Sequence, residues 1–541
     1  MSAPEDPAGL GSSLPPDCAF AGFSDDPPWL VDPDDLPWRD GIDVIRARTR
    51  AEVPRLVRRR RFPPAHRIVK VGWTLGRAIG AWFLFDRGRG RSRSRLGLSR
   101  RLRIAFGKLG PTHIKLGQIL SSGEGIFPEE IVSQFRLLRD RVPPESFDTV
   151  RRIVEAELAG PLDATFAEFD RTPIAAASIA QVHGARLRTG ERVVVKVQRP
   201  DIDELVRRDL AAMSFFAPFL AGRIPVAALS NPPALIELFA ETIVEELDFR
   251  LEAANMLDVG RVLAETDQRS IIVPRPHSRL VTRRMLVMER LDGLVWDDVE
   301  GMRAIGIDTT AVVRAAMISF LEGAMLYGVF HGDLHGGNLL VRPDGRVALL
   351  DFGITGRLTE PQRLAFLQLL IGGTTSNTPI QVQALKDLGA LPADADIDQV
   401  IRDLGLDRPT PDVTTLSAEE LTDQLRNLTK QLLAYGARMP KELMLFVKDM
   451  LFLDGAVATL APGIDLLGEV ALIATHFTGR HGDRLASDLG LDPGAITIDL
   501  AGLRASMGLE PETRQFTYQE LRARREAVRK KFEREERQRG D

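Results

Sequence analysis

The stretch His331-Gly332-Asp333-Leu334-His335-Gly336-Gly337-Asn338 is followed, thirteen residues after Asn338, by Asp351-Phe352-Gly353. The second stretch lies inside an apolar run, residues 347–354. An acid, an amide and a second acid therefore stand at fixed spacings. Each residue type involved has a background usage of roughly 5%, so two unrelated turns explain this pattern poorly.

Three side chains of this constellation have the chemistry of phosphoryl transfer. That reaction needs one carboxylate near the attacking oxygen, and an amide and a second carboxylate on the Mg²⁺ ions that bridge the phosphates. Asp333 fits the catalytic role, and Asn338 and Asp351 fit the metal-binding roles. The sequence therefore predicts an enzyme that uses ATP and Mg²⁺.

Upstream, Lys196 is the only charged residue in a β-branched run, residues 193–197. A charge in a buried strand needs a partner, which favours a catalytic lysine that contacts the phosphates of ATP. Its own partner should be an acid on the following helix, predicted to run from Pro232 to residue 252. The candidates are Glu246, Asp248 and Glu252. The last two are four residues apart and would share a helical face.

An alanine-rich segment stands where a kinase would show G-x-G-x-x-G-x-V. It reads Ala175-Ala176-Ala177-Ser178-Ile179-Ala180-Gln181-Val182, with alanine at all three glycine positions. Alanine resists positive φ, and its Cβ limits how closely the backbone approaches a phosphate, so we expect a stiffer loop. Taken alone, the segment could equally be a helical turn. The residues of this loop expected to contact ATP are Ala175, Ala177, Ser178, Ala180 and Val182.

Two further features depart from ordinary protein kinases. Gly332 replaces the arginine that commonly precedes the catalytic aspartate, which removes the usual contact for a phosphorylated activation loop. No Ala-Pro-Glu follows Asp351, because helical periodicity resumes near Thr359-Glu360-Pro361. Little room is left for a segment that docks a peptide.

Together these departures resemble one family, the UbiB/AarF atypical kinases, also called the ADCK-like group. Lys115-Leu116-Gly117-Gln118 is similar to that family's KxGQ segment, and Val142-Pro143-Pro144 follows as its pattern expects. The resemblance covers residues 98–466, about two thirds of the chain. It implies an α+β, bilobal protein-kinase-like fold, with a small β-rich N-lobe, a helical C-lobe and an N-terminal helical extension.

The resemblance also implies roles for individual residues. The lid or regulatory residues would be Lys115, Gln118, Glu246 and Asp248, the last two as the family's ExD pair. The lysine and the glutamine would lie on an extension that shields the active site from protein substrates. Glu252 would be the helix-C glutamate that pairs with Lys196. A hinge that receives adenine would consist of Met288, Glu289 and Leu291 around Arg290.

The implied function is that of an ATPase or atypical kinase in isoprenoid quinone or other prenyl-lipid metabolism at a membrane surface. One alternative is a small-molecule phosphotransferase of the aminoglycoside or choline kinase kind, which also uses an HGDLHxxN loop. Gly353 and the Lys115 segment favour the first interpretation. Another alternative is a nucleotide-sensing scaffold with little catalysis. The phosphoryl acceptor and a homodimeric state are left open.

The composition indicates a globular chain in a reducing compartment. Of its 541 residues, 44% are apolar and 27% are charged, and the formal net charge is -4. Cys18 is the only cysteine, so an intramolecular disulfide and a thiolate metal site are excluded. The first residues hold acids and prolines and do not resemble a secretory signal, which favours the cytoplasm.

Charge divides the chain unevenly. Residues 1–40 carry nine acids and a single base, a composition that predicts disorder. The predicted segments are an acidic leader (1–45), a basic and amphipathic region with the helical KxGQ-type extension (46–150), the N-lobe (151–292), the C-lobe (293–480) and a helical, charged tail (481–541).

Within the basic region, arginine runs at 58–61 and 87–95 flank an apolar stretch that contains Trp73, Trp82 and Phe83. This pattern favours peripheral attachment to an anionic membrane surface, on the inner face of the membrane; a solvated basic loop beside a packed helix is the alternative. Lys70 and Arg77 interrupt the stretch, so no transmembrane helix is predicted. Nucleic-acid binding is not expected, since the arginines lack a recognisable reading motif.

Overall fold

A computed structural model of the chain describes residues 35–58, 65–88, 91–122, 129–138, 142–220, 232–374, 377–406, 435, 440–490, 504, 513 and 515–527. The fold is α+β and mostly helical, with a helical region before the first sheet. The helices are α1 (Ile42–Leu56), α2 (Ala65–Phe85), α3 (Arg91–Leu109), α4 (Pro111–Ser122), α5 (Glu129–Arg136), α6 (Phe147–Leu158), α7 (Leu162–Thr165), α8 (Ile202–Leu220), α9 (Pro232–Glu245), α10 (Phe249–Glu265), α11 (Val299–Ala304), α12 (Thr309–Glu322), α13 (Glu360–Thr374), α14 (Thr378–Asp387), α15 (Ile397–Leu404), α16 (Lys441–Leu460) and α17 (Leu466–Leu489). The strands are β1 (Phe166–Phe169), β2 (Ala175–Ala176), β3 (Ala180–Leu187), β4 (Arg192–Gln198), β5 (Ile271–Ile272), β6 (Pro276–Val281), β7 (Met285–Glu289), β8 (Leu294–Val295), β9 (Val329–His331), β10 (Leu339–Val341), β11 (Val347–Leu349) and β12 (Thr355–Arg357).

A six-stranded antiparallel sheet carries Lys196. Its order is β1-β3-β4-β7-β6, with β2 added to β3. The valines at 193, 195 and 197 of β4 are fully buried in one apolar cluster with α6. Successive side chains of a strand point to opposite faces, so Lys196 faces away from that cluster. The strand predicted around Lys196 is confirmed as β4, and the alanine-rich segment forms strands, not a helical turn.

Two small sheets bring the two halves of the site motif together. β10 pairs with β11, with Leu339 opposite Leu349, so the residues just outside that hairpin become neighbours. β9 pairs with β12, with His331 opposite Thr355. The catalytic loop therefore begins at one sheet and ends at the other, and Asp351 lies on the segment that returns between them. The thirteen-residue spacing seen in the sequence is the length of this hairpin connection.

The helix predicted from Pro232 to residue 252 is two helices. α9 ends at Glu245, and α10 begins at Phe249 with Asp248 as its N-cap. The carboxylate of Asp248 accepts a hydrogen bond from the Arg250 amide at 3.1 Å. A side chain that caps a helix end cannot also lie on the helix face, so the predicted shared face of Asp248 and Glu252 is wrong.

The end of the predicted leader, from residue 35, belongs to the described part of the chain. The leader's first residues, 1–34, lie outside the described part of the chain, but Leu36, Trp38 and Ile42 are buried in the main core. The Trp38 Nε1 donates to the carbonyl of His277 at 3.2 Å. The structured part thus begins before the predicted boundary at 45, because three apolar side chains outweigh the acidic composition around them.

The predicted basic region is a set of helices. α2 is anchored by Arg67, whose buried guanidinium contacts Asp209 of α8 and donates to the Leu109 carbonyl at 2.6 Å. Farther along α2, large apolar side chains face outward: Trp73 is 72% exposed and Leu84 75%. By length and composition α2 could cross a membrane, and 6% of its apolar 18-residue window is buried.

The C-terminal boundaries also differ from the prediction. α17 runs through residue 480 without interruption, so the predicted change from C-lobe to tail falls inside a helix. Of the charged tail, residues 518–527 are helical, and residues 528–541 lie outside the described part. A second helix with the length and composition of a membrane span, residues 309–327, is 61% buried, as a core helix would be.

Candidate active site

A cleft of about 600 Å³ lies where the six-stranded sheet, α4, the catalytic loop and the Asp351 segment meet. It is lined by residues that the sequence singled out and by several that it did not. The predicted residues that line it are Lys115, Gln118, Ala175, Ala177, Ser178, Ala180, Val182, Lys196, Glu246, Glu252, Asp333, Asn338 and Asp351. Side chains as far apart in the chain as residues 115 and 351 thus share one space.

Lys196 bridges two acids in this cleft. Its Nζ lies 2.7 Å from Glu252 Oε1 and 3.1 Å from Asp351 Oδ1. Burial alone would lower the pKa of Lys196, but the charges of Asp351 and Glu252 outweigh it and raise that pKa. The same interaction lowers the pKa of Asp351 to about 2 against the effect of burial. The predicted pairing of Lys196 with Glu252 is present.

Of the two acids, Glu252 has the environment that favours an ionised carboxylate less. Its side chain is 3% exposed, and burial raises its pKa to about 7 although Lys196 opposes this change. The nearby charge of Asp351 acts in the same direction as burial. Glu252 therefore changes its protonation near neutral pH, whereas Asp351 stays ionised.

Asp333 is held as a carboxylate by cations around it. Lys448 of α16 contacts Asp333 Oδ1 and donates to the Gly332 carbonyl at 3.2 Å. His335 Nε2 lies 3.9 Å from the other carboxylate oxygen. Burial would raise the pKa of Asp333, but Lys448, His335 and Lys115 outweigh it and hold this pKa well below its usual range. These cations therefore favour the ionised carboxylate and make Asp333 a weak proton acceptor.

Asp351 and Asn338 have the chemistry of a Mg²⁺ site. The Leu350 amide donates to the Asn338 carbonyl at 2.8 Å, which brings the two candidate ligands together. The Asn338 amide nitrogen donates to the Asp333 carbonyl at 3.0 Å, so its side-chain oxygen is the atom left for a metal. Oxygen donors of this kind suit a hard cation. The residues present therefore fit the metal.

Asp351 has a backbone conformation that is rare for its residue type. Its φ is 56°, in the left-handed region. Such strain persists where the surroundings enforce it and occurs often at functional sites. The Gly353 amide donates to Asp351 Oδ1 at 3.2 Å and fixes the side chain. A Cβ at Gly353 would lie 3.2 Å from that oxygen and 3.3 Å from Glu246 Cγ, so a larger residue would crowd both side chains.

The alanine-rich loop is a tight turn built without strain. The Ala177 amide donates to the Ala180 carbonyl at 2.8 Å, and Ala175 pairs with Val182. None of the loop's residues has a positive φ, so alanine fits at each position where a kinase would need glycine. Arg199 braces the turn, since it donates to the Ala177 carbonyl at 3.1 Å and to Glu145 at 2.7 Å.

The predicted lid residues reach the cleft from α4. Lys115 Nζ lies 2.8 Å from Glu246 Oε1, and Gln118 lines the same space. Burial would lower the pKa of Lys115, but Glu246, Asp333 and Asp351 outweigh it and raise that pKa. Burial also raises the pKa of Glu246. Lys115 is therefore a second lysine, beside Lys196, whose positive charge compensates the acids of the site.

Four predicted residues do not line the cleft. Asp248 caps α10 and contacts Arg250 at 2.7 Å. Met288 lies in the main core, and Glu289 is buried and accepts a hydrogen bond from the Arg275 amide. Leu291 packs in a small cluster with Ile272. The predicted contact of Met288, Glu289 and Leu291 with adenine runs through backbone groups and stays a prediction.

Lys448 and Asp449 are site residues that sequence reasoning missed. The Leu334 amide donates to Asp449 Oδ1 at 3.0 Å, so this fully buried acid holds the catalytic loop. Burial raises the pKa of Asp449 well above its usual range. The available signal was a Lys-Asp pair inside the apolar helix α16, where uncompensated charges are costly.

Comparisons with known proteins agree with the class that this site defines, an atypical kinase-like domain. The family model described as "ABC1 atypical kinase-like domain" matches residues 137–383. An uncharacterized protein of Mycobacterium tuberculosis (strain H37Rv) is 36% identical over 369 residues, which cover 68% of this chain and 75% of the relative. A "probable protein kinase UbiB" of Aliivibrio fischeri is 31% identical over 374 residues, 68% of each chain.

Among solved structures, a Mycobacterium tuberculosis protein in complex with erythromycin is similar to 61% of this chain and 89% of its own, with a TM-score of 0.36 and 23% identity. The sequence relatives carry the assignment. The chain belongs to the ABC1/UbiB (aarF domain) atypical kinase-like family.

Proposed function

We propose that this chain binds Mg-ATP in the cleft, between a β-rich N-lobe and a helical C-lobe, and hydrolyses or transfers the γ-phosphate. One observation carries the proposal. Lys196, Asp351 and Asp333, which the sequence separates by up to 155 residues, line a single cleft with Asn338 and the alanine-rich turn. The proposal places them in the roles of phosphate contact, metal ligand and catalytic carboxylate.

In this proposal each side chain has a defined task. Asp351 and Asn338 would hold Mg²⁺, which neutralises charge on the phosphates when it is bound. Lys196 contacts phosphate oxygens and is itself positioned by Glu252. Asp333 orients a water or a hydroxyl as a hydrogen-bond acceptor, since Lys448 keeps it ionised.

The acceptor in this proposal is small or lipid-like. Lys115 and Gln118 of α4 line the cleft, and in this proposal they act as a lid that reduces access for a folded protein substrate. The exposed apolar face of α2 favours a location at the inner membrane surface, where a prenyl lipid or quinone precursor would be met. We therefore propose a role in isoprenoid quinone or other prenyl-lipid metabolism.

A nucleotide-sensing scaffold is the second candidate, and one observation favours it. The carboxylate of Asp333 already contacts Lys448, so less of its acceptor capacity is available to a nucleophile. Such a protein would bind Mg-ATP and turn it over slowly. The two candidate functions predict different rates of ATP turnover but the same binding of Mg-ATP.

The test is ATPase activity of the wild type and of Asp351→Asn, each with and without anionic vesicles. Asparagine tolerates the left-handed backbone of residue 351, so the substitution removes charge at little conformational cost. We expect phosphate release by the wild type and a loss of at least about 100-fold in the variant, the scale of a lost electrostatic contact. Equal rates of phosphate release by the two proteins would refute the proposed enzymatic activity and leave the scaffold as the remaining candidate.

A further inference from the structure

A second cluster of ligand-type side chains lies away from the cleft, between α12 and α17. Glu322 is the last residue of α12, and His476 and His481 lie on α17. Both imidazole Nε2 atoms contact the same carboxylate oxygen, Glu322 Oε1, at 2.8 and 2.9 Å. The three side chains have no part in the proposed ATP chemistry, since none of them lines the cleft.

The three side chains of the cluster are buried, and only one of the two oxygens of Glu322 has hydrogen-bond partners among the described residues. The side chain of Glu322 is 1% exposed, and those of His476 and His481 are 6% and 12% exposed. Although Oε1 has two partners, Glu322 Oε2 is buried and has no hydrogen-bond partner among the described residues. Leaving a buried carboxylate oxygen bare is costly, so it indicates that something else contacts it.

From this arrangement we infer a binding site for a divalent transition-metal ion of the Zn²⁺ type, formed by Glu322, His476 and His481. One ligand atom from each residue lies within 4.8 Å of the others. Two imidazole nitrogens and one carboxylate are a ligand set that Zn²⁺ takes, with a fourth position for water. Mg²⁺ and Ca²⁺ prefer oxygen ligands, so the set distinguishes this site from that of Mg-ATP.

The distances between the three candidate ligand atoms need to change only slightly to hold a Zn²⁺ ion. Tetrahedral ligands at about 2.1 Å from a Zn²⁺ ion lie about 3.4 Å from each other. The present 2.8 and 2.9 Å separations are those of hydrogen bonds to the carboxylate. On binding, each neutral imidazole releases its Nε2 proton and takes up one at Nδ1 by exchange with solvent, so that Nε2 ligates as a neutral nitrogen, and the rings withdraw by about half an ångström.

The position of the site gives it a structural role. Directly after Glu322, residues Gly323–Tyr327 form a π-helical turn, a rare feature that occurs often at functional sites. β9 follows that turn and leads into the catalytic loop. A metal ion would therefore join α17 to the segment from which the catalytic loop extends.

The experiment uses the full chain, stripped with a chelator and titrated with Zn²⁺, and with Co²⁺ as a spectroscopic probe, without nucleotide or Mg²⁺. We expect one tightly bound ion per chain by elemental analysis, a rise in the melting temperature and absorption typical of Co²⁺ with nitrogen and oxygen ligands. In His476→Gln/His481→Gln the affinity should fall by more than about 100-fold, since even outer-shell changes cost 10- to 100-fold.

Two controls separate the site from other binding. His66→Gln removes an exposed imidazole elsewhere, and Asp351→Asn removes the acid of the cleft; both should keep the bound ion. Glu322→Gln preserves size and a hydrogen-bond acceptor, so it tests the ligand charge if the double variant does not fold. No uptake by the wild type, or equal uptake by Glu322→Gln, would show a hydrogen-bonded cluster only and overturn the inference.

Discussion

At the scale of single residues, the site depends on how Lys196 is shared between two acids. Asp351 lies 3.1 Å from the ammonium and is kept ionised, whereas the pKa of Glu252 is raised by burial although the ammonium is 2.7 Å away. The two carboxylates differ in burial, because Glu252 is 3% exposed and Asp351 is 43% exposed, so Glu252 loses more of its hydration. The ionised form is therefore favoured more for Asp351, which would hold the metal, than for Glu252, which positions the lysine.

This sharing predicts a pH dependence of stability. Folding raises the pKa of Glu252 from 4.5 to about 7, so the folded chain binds an extra proton between those values. The stability that comes from this proton is fully present below about pH 4.5 and is lost as the pH rises through about 7. We expect the free energy of unfolding of the wild type, relative to Glu252→Gln, to fall between about pH 4.5 and about pH 7 and to level off above about pH 7.

Urea unfolding of both proteins across that range measures the difference. Glutamine keeps the size of the side chain and a hydrogen-bond acceptor but does not titrate, which makes it the matched control. Parallel pH profiles for the two proteins would contradict the proposed state of Glu252.

At the scale of secondary-structure elements, the packing of α4 against its neighbours explains why the Lys115-Leu116-Gly117-Gln118 segment contains a glycine. A Cβ at this position of α4 would lie 2.5 Å from Leu138 Cδ1 and 2.7 Å from Phe135 Cδ1. Only glycine allows α4 to approach α5 this closely. The approach fixes the rotation of α4 and, with it, the positions of Lys115 and Gln118 at the cleft.

Gly117→Ala is therefore expected to destabilise the chain by about 1–3 kcal/mol through overpacking. It should also weaken ATP binding, because the lysine contact with Glu246 would shift. Gly107→Ala is the matched control on α3, where a Cβ meets only Leu138 at 4.0 Å. Melting curves and nucleotide titrations compare the two; an unchanged melting temperature for Gly117→Ala would refute this packing argument.

At the scale of the whole molecule, α2 separates a buried anchor from an exposed apolar face. Arg67 and Val71 are buried against the body of the protein. Trp73, Phe83 and Leu84 are 72%, 56% and 75% exposed, a grouping that marks an interaction surface. The prediction that α2 does not span a membrane stays a prediction, since its length and composition would allow it.

Replacing Trp73, Phe83 and Leu84 together by serine should abolish most sedimentation with anionic vesicles. The fold should be retained, because these side chains make up an exposed surface. Ile305→Ser, at a residue that is 53% exposed elsewhere, is the control and should sediment like the wild type. If the triple variant sediments with the vesicles as well as the wild type does, α2 is not the attachment site.

Much of the site could be predicted from the sequence because its motifs are local. The spacing of Asn338 and Asp351 follows from one β-hairpin, and the lone charge of Lys196 in a strand required an acid. Lys448 could not be assigned in this way, since it reaches Asp333 from a helix 115 residues later. The break at Asp248 was missed because helical periodicity continues through it, while its capping hydrogen bond depends on the local backbone.

The central claim is that one cleft binds ATP through a metal held by Asp351. The most direct measurement is equilibrium titration of the wild type and Asp351→Asn with a fluorescent ATP analogue, with and without Mg²⁺. The account predicts that Mg²⁺ strengthens binding to the wild type and has little effect on the variant. Binding that ignores Mg²⁺ in both proteins, or no binding to the wild type, would contradict it.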